Sequence, residues 1–254
     1  MSPELGAGCL ALASRALIVG DGQQLEPVWN VPPHVDLSNA SQHELIGRDQ
    51  NRGLAELTRM GMLASNGSLM RLSLRCSTFN DGGTTVGVFL SEHRRSVPEI
   101  VAACNALAYR DRLLPYRPPL SERVLPAFGY LHVRGRMEKV GTSRRNKTEA
   151  DEIISWLVTN RERLLHFYRS RSLDQVLAVI SPFAAQIEYI HTKLRPFRDR
   201  ILVGTVNSLQ GAERPVVLFS TVYDPSFTDQ CFFDRGPNML NVAISSARDS
   251  FVVF

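Results

Sequence analysis

The chain has 254 residues, 44% of them hydrophobic and 21% charged. This is ordinary globular composition, and it argues against disorder, collagen-like repeats and a small disulfide scaffold. The formal net charge is +4, and 26 of the 29 basic residues are Arg. Guanidinium suits bidentate phosphate contact, but a GC-rich coding sequence produces the same bias, so the Arg count alone decides nothing. Cys9, Cys76, Cys104 and Cys231 lie far apart, with no CxxC and no His at metal-ligand spacing. No apolar run is long enough for a membrane span. These features read as a reduced, cytoplasmic chain with no metal site and no membrane partner.

In chain order, Leu5 to Ala16 reads as a helix and Ala16-Leu17-Ile18-Val19 as a short buried strand closed by the Gly20-Asp21-Gly22 turn. Residues 30–85 are polar and irregular, with breakers at Pro32-Pro33, Asn66-Gly67 and Asp81-Gly82-Gly83; they read as a connector holding one helix near 42–60. Regular alternation follows. A strand is predicted over Val86–Leu90, and Ser96 with Glu99 forms a capping box that opens a helix through Tyr109. After a Pro-rich loop come a strand at Tyr130–Val133 and a long amphipathic helix at Thr148–Tyr168. Next are a strand at Val176–Ile180, a helix at Pro182–Leu194, and strands at Ile201–Val206 and Val216–Val222. A helix at 238–247 and a strand beginning at Phe251 close the chain. Continuous aliphatic strands alternating with helices indicate an α/β fold, a parallel sheet with helices on both faces. The last four residues read as an unfinished strand, which suggests a piece of something longer.

Ligands of open parallel sheets collect at the carboxyl ends of the strands, so the polar segments after each strand are the ones to read. They are Gly20-Asp21-Gly22-Gln23-Gln24, then Glu92-His93-Arg94-Arg95-Ser96, then Thr205-Val206-Asn207-Ser208-Leu209-Gln210-Gly211-Ala212-Glu213. The helix Asn241 to Arg248 precedes the terminal strand. Alone, each is an ordinary turn, a solvated Arg pair or a helix end.

Taken in order, they resemble the motifs of superfamily 1 helicases, in the branch containing the nonsense-mediated-decay helicase and the Okazaki-fragment-processing helicase-nuclease. Ile18 to Pro27 is similar to motif III, and His93-Arg94-Arg95 with Pro98-Glu99-Ile100 to motif IV. Ile180 to Gln186 is similar to the strand, Pro-Phe and Gln segment, Gly204 to Glu213 to motif V, and Leu240 to Arg248 to motif VI. The resemblance implies a RecA-like second lobe at 86–254, with 1–85 as a remnant of the first lobe carrying motif III and its connector. It implies ATP and Mg2+ as the nucleotide and metal, bound between two lobes, and single-stranded DNA or RNA as partner. By the same resemblance Gln24 senses the γ-phosphate or positions the attacking water, and Arg94 is an arginine finger. Gln210, Gly211 and Glu213 line the nucleotide cleft, and Thr205 and Asn207 face the nucleic acid.

Two features depart from the family. A phosphate-binding loop needs Gly-Lys followed by Ser or Thr, yet Lys139, Lys147 and Lys193 follow Glu138, Asn146 and Thr192. The acidic strand that anchors Mg2+ is also missing, since Asp151-Glu152 falls inside the amphipathic helix. The implied function is therefore the C-terminal part of an ATP-dependent helicase, inactive unless another chain supplies the first lobe; the alternative is a non-catalytic nucleic-acid-binding remnant or a truncated gene product. Second, the first motif VI Arg position is Ser246. Arg248, two residues along a predicted helix, is expected on the far face.

Overall fold

The architecture follows from the aliphatic runs. In the computed structural model, which describes residues 1–47, 49–80, 86–197 and 200–254, the chain forms two compact units, Met1–Leu90 and Ser91–Phe254. In the second unit, β1 (Glu92–His93) leads into α5 (Pro98–Cys104), numbered after four helices of the first unit, and a π-turn at Asn105–Tyr109. Then come β2 (Leu114–Pro115), β3 (Phe128–Tyr130), the hairpin β4 (Glu138–Val140) and β5 (Ser143–Arg145), and α6 (Lys147–Phe167). The unit closes with β6 (Leu177–Ser181), α7 (Ala184–Leu194), β7 (Leu202–Thr205), β8 (Arg214–Phe219), α8 (Pro237–Ser245) and β9 (Ala247–Val253).

Strands β3-β9-β8-β6-β7 form one sheet in that order, and every neighbouring pair is parallel. All five residues of β6 are buried, as a strand covered on both faces requires. Successive side chains point to opposite faces. Leu177, Val179, Leu218 and Val252 pack with Ile153, Leu157 and Leu164 of α6 and Ile187 and Ile190 of α7. The alternate residues Phe219 and Phe251 stack with ring centroids 5.6 Å apart, on the side where α5 and α8 pack against each other and β9. This is a RecA-like α/β fold, a central parallel sheet flanked by helices. No helix among the described residues is long and apolar enough to cross a membrane.

The first unit is helical: α1 (Pro3–Ala11), α2 (Pro33–Gln42), α3 (Gln50–Met60) and α4 (Leu69–Cys76). Ala40, Ile46, Leu57 and Leu63 make its small core. The buried Asp36 carboxylate accepts from the backbone of Ala64 and Ser65 at 3.2 and 2.6 Å, tying α2 to the loop before α4.

Several sequence expectations are corrected here. Ala16–Val19 is not a buried strand: it has no ladder, and Leu17 and Val19 are exposed. An aliphatic run becomes a strand only where a neighbour takes its backbone hydrogen bonds, and the described residues of this unit offer helices instead. Likewise Val86–Leu90 is not a strand: Val86 makes an isolated bridge with Asn80, and the first ladder begins at Glu92. The single helix near 42–60 is instead α2 and α3, and α4 was not anticipated. The Asp81-Gly82-Gly83 turn lies outside the described residues.

The Ser96–Glu99 capping box does not form. Val97 holds the N-cap position, the Ser96 hydroxyl donates to the Ala247 carbonyl at 2.7 Å, and Glu99 pairs with Arg123. The final strand starts at Ala247, not Phe251, and is seven residues long.

Candidate functional site

The motif residues of the second unit divide between the two ends of the sheet. Thr205 ends β7 and lies beside Ser181 of β6, at the carboxyl edge. Its hydroxyl accepts from the Ser208 backbone N–H at 3.2 Å, its carbonyl accepts from that of Leu209 at 3.0 Å, and Asn207 is exposed at the apex. A Cβ at Gly204 would lie 2.6 Å from the Ser208 hydroxyl, so glycine lets the loop fold back tightly onto the strand. Gln210 and Gly211 are exposed in the following turn, where Gly211 has φ +86°, the left-handed region open to glycine.

Glu213, by contrast, immediately precedes β8 and so lies at the amino edge. The rule that ligands gather at carboxyl ends therefore describes only half of this site. At the amino edge Arg95 pairs with Glu213 at 2.8 Å. Its neighbour Arg94 pairs with Glu92 at 2.5 Å, its guanidinium 4.0 Å over the Tyr116 ring. The structure thus brings Arg95, not Arg94, to Glu213 at the start of β8. Burial, with Arg95 nearby, holds the His93 imidazole below its usual range and favours the neutral ring, whose Nδ1 accepts from Ser96 N–H at 3.5 Å.

The expected geometry of motif VI is also corrected. The helix ends at Ser245, so Arg248 is a strand residue and the helical rotation argument does not apply. Ser246 is buried, its hydroxyl donating to the Val242 carbonyl at 2.8 Å and its carbonyl accepting from Arg214 N–H at 3.1 Å. Arg248 is exposed.

Two residues the sequence did not flag organise this edge. One terminal nitrogen of Arg117 donates to the carbonyls of Arg95 and Arg248 at 3.2 and 3.1 Å and lies 2.6 Å from the buried Asp249 carboxylate. Burial and Asp249 push the Tyr168 phenol up. A lone Arg in a Pro-rich loop and an Asp inside a strand carry no local signal for such a pairing.

In the first unit, Gln24 is half-buried in the turn after Asp21, where its N–H donates to the Asp21 carbonyl at 3.3 Å and Gln23 N–H donates to the Asp21 carboxylate at 2.8 Å. Nearby, Glu26 pairs with Arg71.

Behind the carboxyl edge lies a buried polar network. Glu149, 2% exposed, accepts from the Ser220 hydroxyl at 2.6 Å and from Val222 N–H at 3.1 Å. Burial outweighs these bonds and pushes its carboxyl up to about 7. A carboxyl raised on folding contributes stability that is fully present below its ordinary value of 4.5 and lost as pH rises through 7. The unfolding free energy is therefore expected to fall by up to about 3 kcal/mol between pH 5 and 8. Glu149→Gln should flatten that slope, as measured by urea unfolding across the range.

As for metals, no group of three His, Cys, Asp or Glu side chains is placed to hold an ion among the described residues. The residues present do not fit Mg2+.

The fold defines a RecA-like lobe, a central parallel sheet flanked by helices. Residues 70–254 match the family model described as AAA domain, and the chain belongs to that family. It is 25% identical over 189 residues to the "Putative helicase mov-10-B.1" of Danio rerio, and 24% identical over 188 residues to the "Probable RNA helicase armi" of Drosophila melanogaster. Each match covers 63% of this chain but only 18% and 15% of those proteins. Among solved structures, the C-terminal domain of a possible DNA helicase from Lactobacillus plantarum aligns over 63% of this chain and 85% of that one. Its TM-score is 0.38 at 14% identity.

Proposed function

We propose that the chain is the second RecA-like lobe, with residues 1–85 a remnant of the first, of an ATP-dependent helicase acting on single-stranded DNA or RNA. The observation that carries this reading is the division of one motif V loop between both ends of a parallel sheet. Thr205 and Asn207 at the carboxyl edge are assigned to the nucleic acid. Gln210 and Gly211 in the turn, and Glu213 with Arg95 at the amino edge, are assigned to the nucleotide. Gln24, from the motif III segment, is assigned to the γ-phosphate or the attacking water. Joining the two ends through eight residues gives a direct physical path from nucleotide state to strand grip.

Of the two motif IV arginines we assign the finger to Arg95, because it alone is tied to Glu213; assigning it to Arg94 predicts the reverse order of mutational effects. With no Gly-Lys loop and no fit for Mg2+ among these residues, hydrolysis requires a segment outside them that carries both.

Two experiments follow. The purified chain is expected to bind a labelled single-stranded oligonucleotide in a salt-dependent way, since phosphate contacts release counterions. Asn207→Ala should weaken that binding about fivefold, the loss of one hydrogen bond, as read by fluorescence anisotropy; unchanged affinity sinks the carboxyl-edge assignment. The same preparation should release no phosphate from ATP, because the groups that hold the β- and γ-phosphates and Mg2+ are absent. Phosphate release that survives repurification overturns this.

The buried Ser246, where a motif VI cation is expected, favours the second reading, a nucleic-acid-binding remnant without catalysis. On that reading oligonucleotide binding persists and no added first lobe restores hydrolysis.

A further inference from the structure

The five-stranded sheet ends on β3, with no strand paired to its outer side among the described residues. Phe251 N–H donates to the Ala127 carbonyl and Leu131 N–H to the Val253 carbonyl, both at 2.8 Å. Phe128 and Tyr130 are in register with Phe251 and Val253. In a parallel ladder, residues that bond to a neighbour alternate with residues that face away, so Ala127, Gly129 and Leu131 serve β9. The N–H and C=O groups of Phe128 and Tyr130 therefore point outward, a short row of donors and acceptors open to a further strand.

The side chains along this edge are as one-sided as its backbone. From Phe128 to Arg136 every second residue, Phe128, Tyr130, His132, Arg134 and Arg136, is exposed, and the residues between are partly buried. A period of two marks an extended chain. Leu131 and Val133 pack on the cluster containing Ile153 and Val252. On the other side Tyr130 is 83% and Phe128 41% exposed, although Phe128 keeps an edge contact with Phe251, ring centroids 6.3 Å apart. Past the two aromatics the strip turns cationic. Arg136 lies near Asp224, whose carboxylate accepts from Met137 N–H at 2.6 Å, but no carboxylate pairs with His132 or Arg134 among the described residues.

These features select among occupants. A second copy of the chain would bring the same Arg and His side chains against their like, and like charges repel across a ladder. A nucleic acid matches the charge but has no alternating N–H and C=O groups to fill the open row. An extended acidic peptide matches both, because ladder bonds supply affinity and alternate side chains supply selectivity.

We propose that the outer side of β3, with the extended segment through Arg136, is a docking edge for an acidic, extended peptide of a partner protein, which adds to the sheet as a further strand. Its carboxylates meet Arg134 and His132, and its intervening apolar side chains continue the face formed by Leu131 and Val133. This does not depend on the helicase reading. The Thr205–Asn207 loop follows β7, the opposite edge of the sheet, four strand spacings or about 19 Å away, so peptide and oligonucleotide should bind together.

The test uses the full chain and a fluorescein-labelled peptide of about ten residues in which Glu and Val alternate, long enough to span Phe128 to Arg136. Binding is read by fluorescence anisotropy at low salt. Two further peptides carry N-methyl groups on every Glu amide or on every Val amide. The amides of one set face one way in a strand, so one methylated peptide should bind as the parent does and the other should bind at least about tenfold more weakly. The same peptide with Lys in place of Glu should not bind.

Tyr130→Pro removes an outward donor and leaves the Gly129 and Leu131 bonds to β9, since proline is tolerated where an edge N–H faces solvent. It should weaken the parent peptide at least about tenfold. Arg134→Glu, a surface change that spares the backbone, should weaken it about fivefold. Arg75→Glu makes the same charge change at an exposed position of the first unit and should have no effect.

The proposal is overturned if wild type does not bind the Glu–Val peptide, if the two methylated peptides bind alike, or if Arg75→Glu matches Arg134→Glu. It also falls if a single-stranded oligonucleotide displaces the peptide and Arg134→Glu weakens both equally, since the strip would then belong to the nucleic acid. Asn207→Ala should leave the peptide unaffected, so failure here and failure of the carboxyl-edge assignment are distinguishable.

Discussion

When the chain is complemented by a polypeptide carrying the phosphate-binding loop, Arg95→Ala is expected to lower nucleic-acid-stimulated ATP turnover on the order of a thousandfold. Arg94→Ala should cost less than about tenfold. An arginine finger stabilises charge that grows only in the transition state and contributes about 10³ or more in rate. The side chain that does this must be held at the nucleotide edge and be free to exchange its resting partner for phosphate. Arg95 meets both conditions through its exposed pair with Glu213. Arg94 pairs with Glu92 and lies over the Tyr116 ring, contacts that leave it without a link to Glu213. The measurement is steady-state ATPase at saturating single-stranded nucleic acid; equal losses, or a larger loss for Arg94→Ala, return the finger to Arg94.

What the sequence disclosed depended on how local the determining interaction was. The continuous apolar runs around Val179 and Leu218 signalled strands buried on both faces, and the sheet is parallel. The amphipathic period of Thr148–Tyr168 placed α6 to within a residue at either end, because burial of Ile153, Leu157 and Leu164 sets it. The β4–β5 hairpin was not legible: Glu138-Lys139-Val140 and Ser143-Arg144-Arg145 lack apolar alternation, and the hairpin is held partly by side chains such as Arg145 with Glu138 at 2.9 Å.

Ser96 shows a long-range bond overriding a local rule. Its hydroxyl could cap the helix it precedes, but it reaches the carbonyl of Ala247, 151 residues away. Arg117 and Arg248 are 131 residues apart and share no motif, so the organisation of the amino edge emerges only once the chain is folded. Ala16–Val19 illustrates the converse, a sequence with strand character whose backbone meets no partner strand among the described residues.

Gln186 was read from the sequence as part of a helicase-like segment, and its surroundings give it a structural task. It is fully buried. Its carbonyl oxygen accepts from Asn146 N–H at 2.8 Å, and its amide donates to the Asn146 carbonyl and the Ser220 hydroxyl at 3.1 and 3.0 Å. One side chain thereby joins the start of α6, the first turn of α7 and the end of β8.

Gln186→Leu keeps the volume but orphans the Asn146 N–H in a water-free place. The Asn146 carbonyl keeps Ala150 N–H as a partner, and Ser220 keeps Glu149. One buried unsatisfied donor costs about 1–3 kcal/mol, and the two other bonds about 1 kcal/mol each. A loss near 3 kcal/mol is therefore expected, lowering the melting midpoint by about 10 °C for a unit of this size. Because the network touches β8 and two helices but not the Thr205–Asn207 loop, oligonucleotide affinity well below the midpoint should stay within about twofold of wild type. Wild-type melting with lost binding would instead place Gln186 at the nucleic-acid surface, and its burial would then have to be relieved when the strand binds.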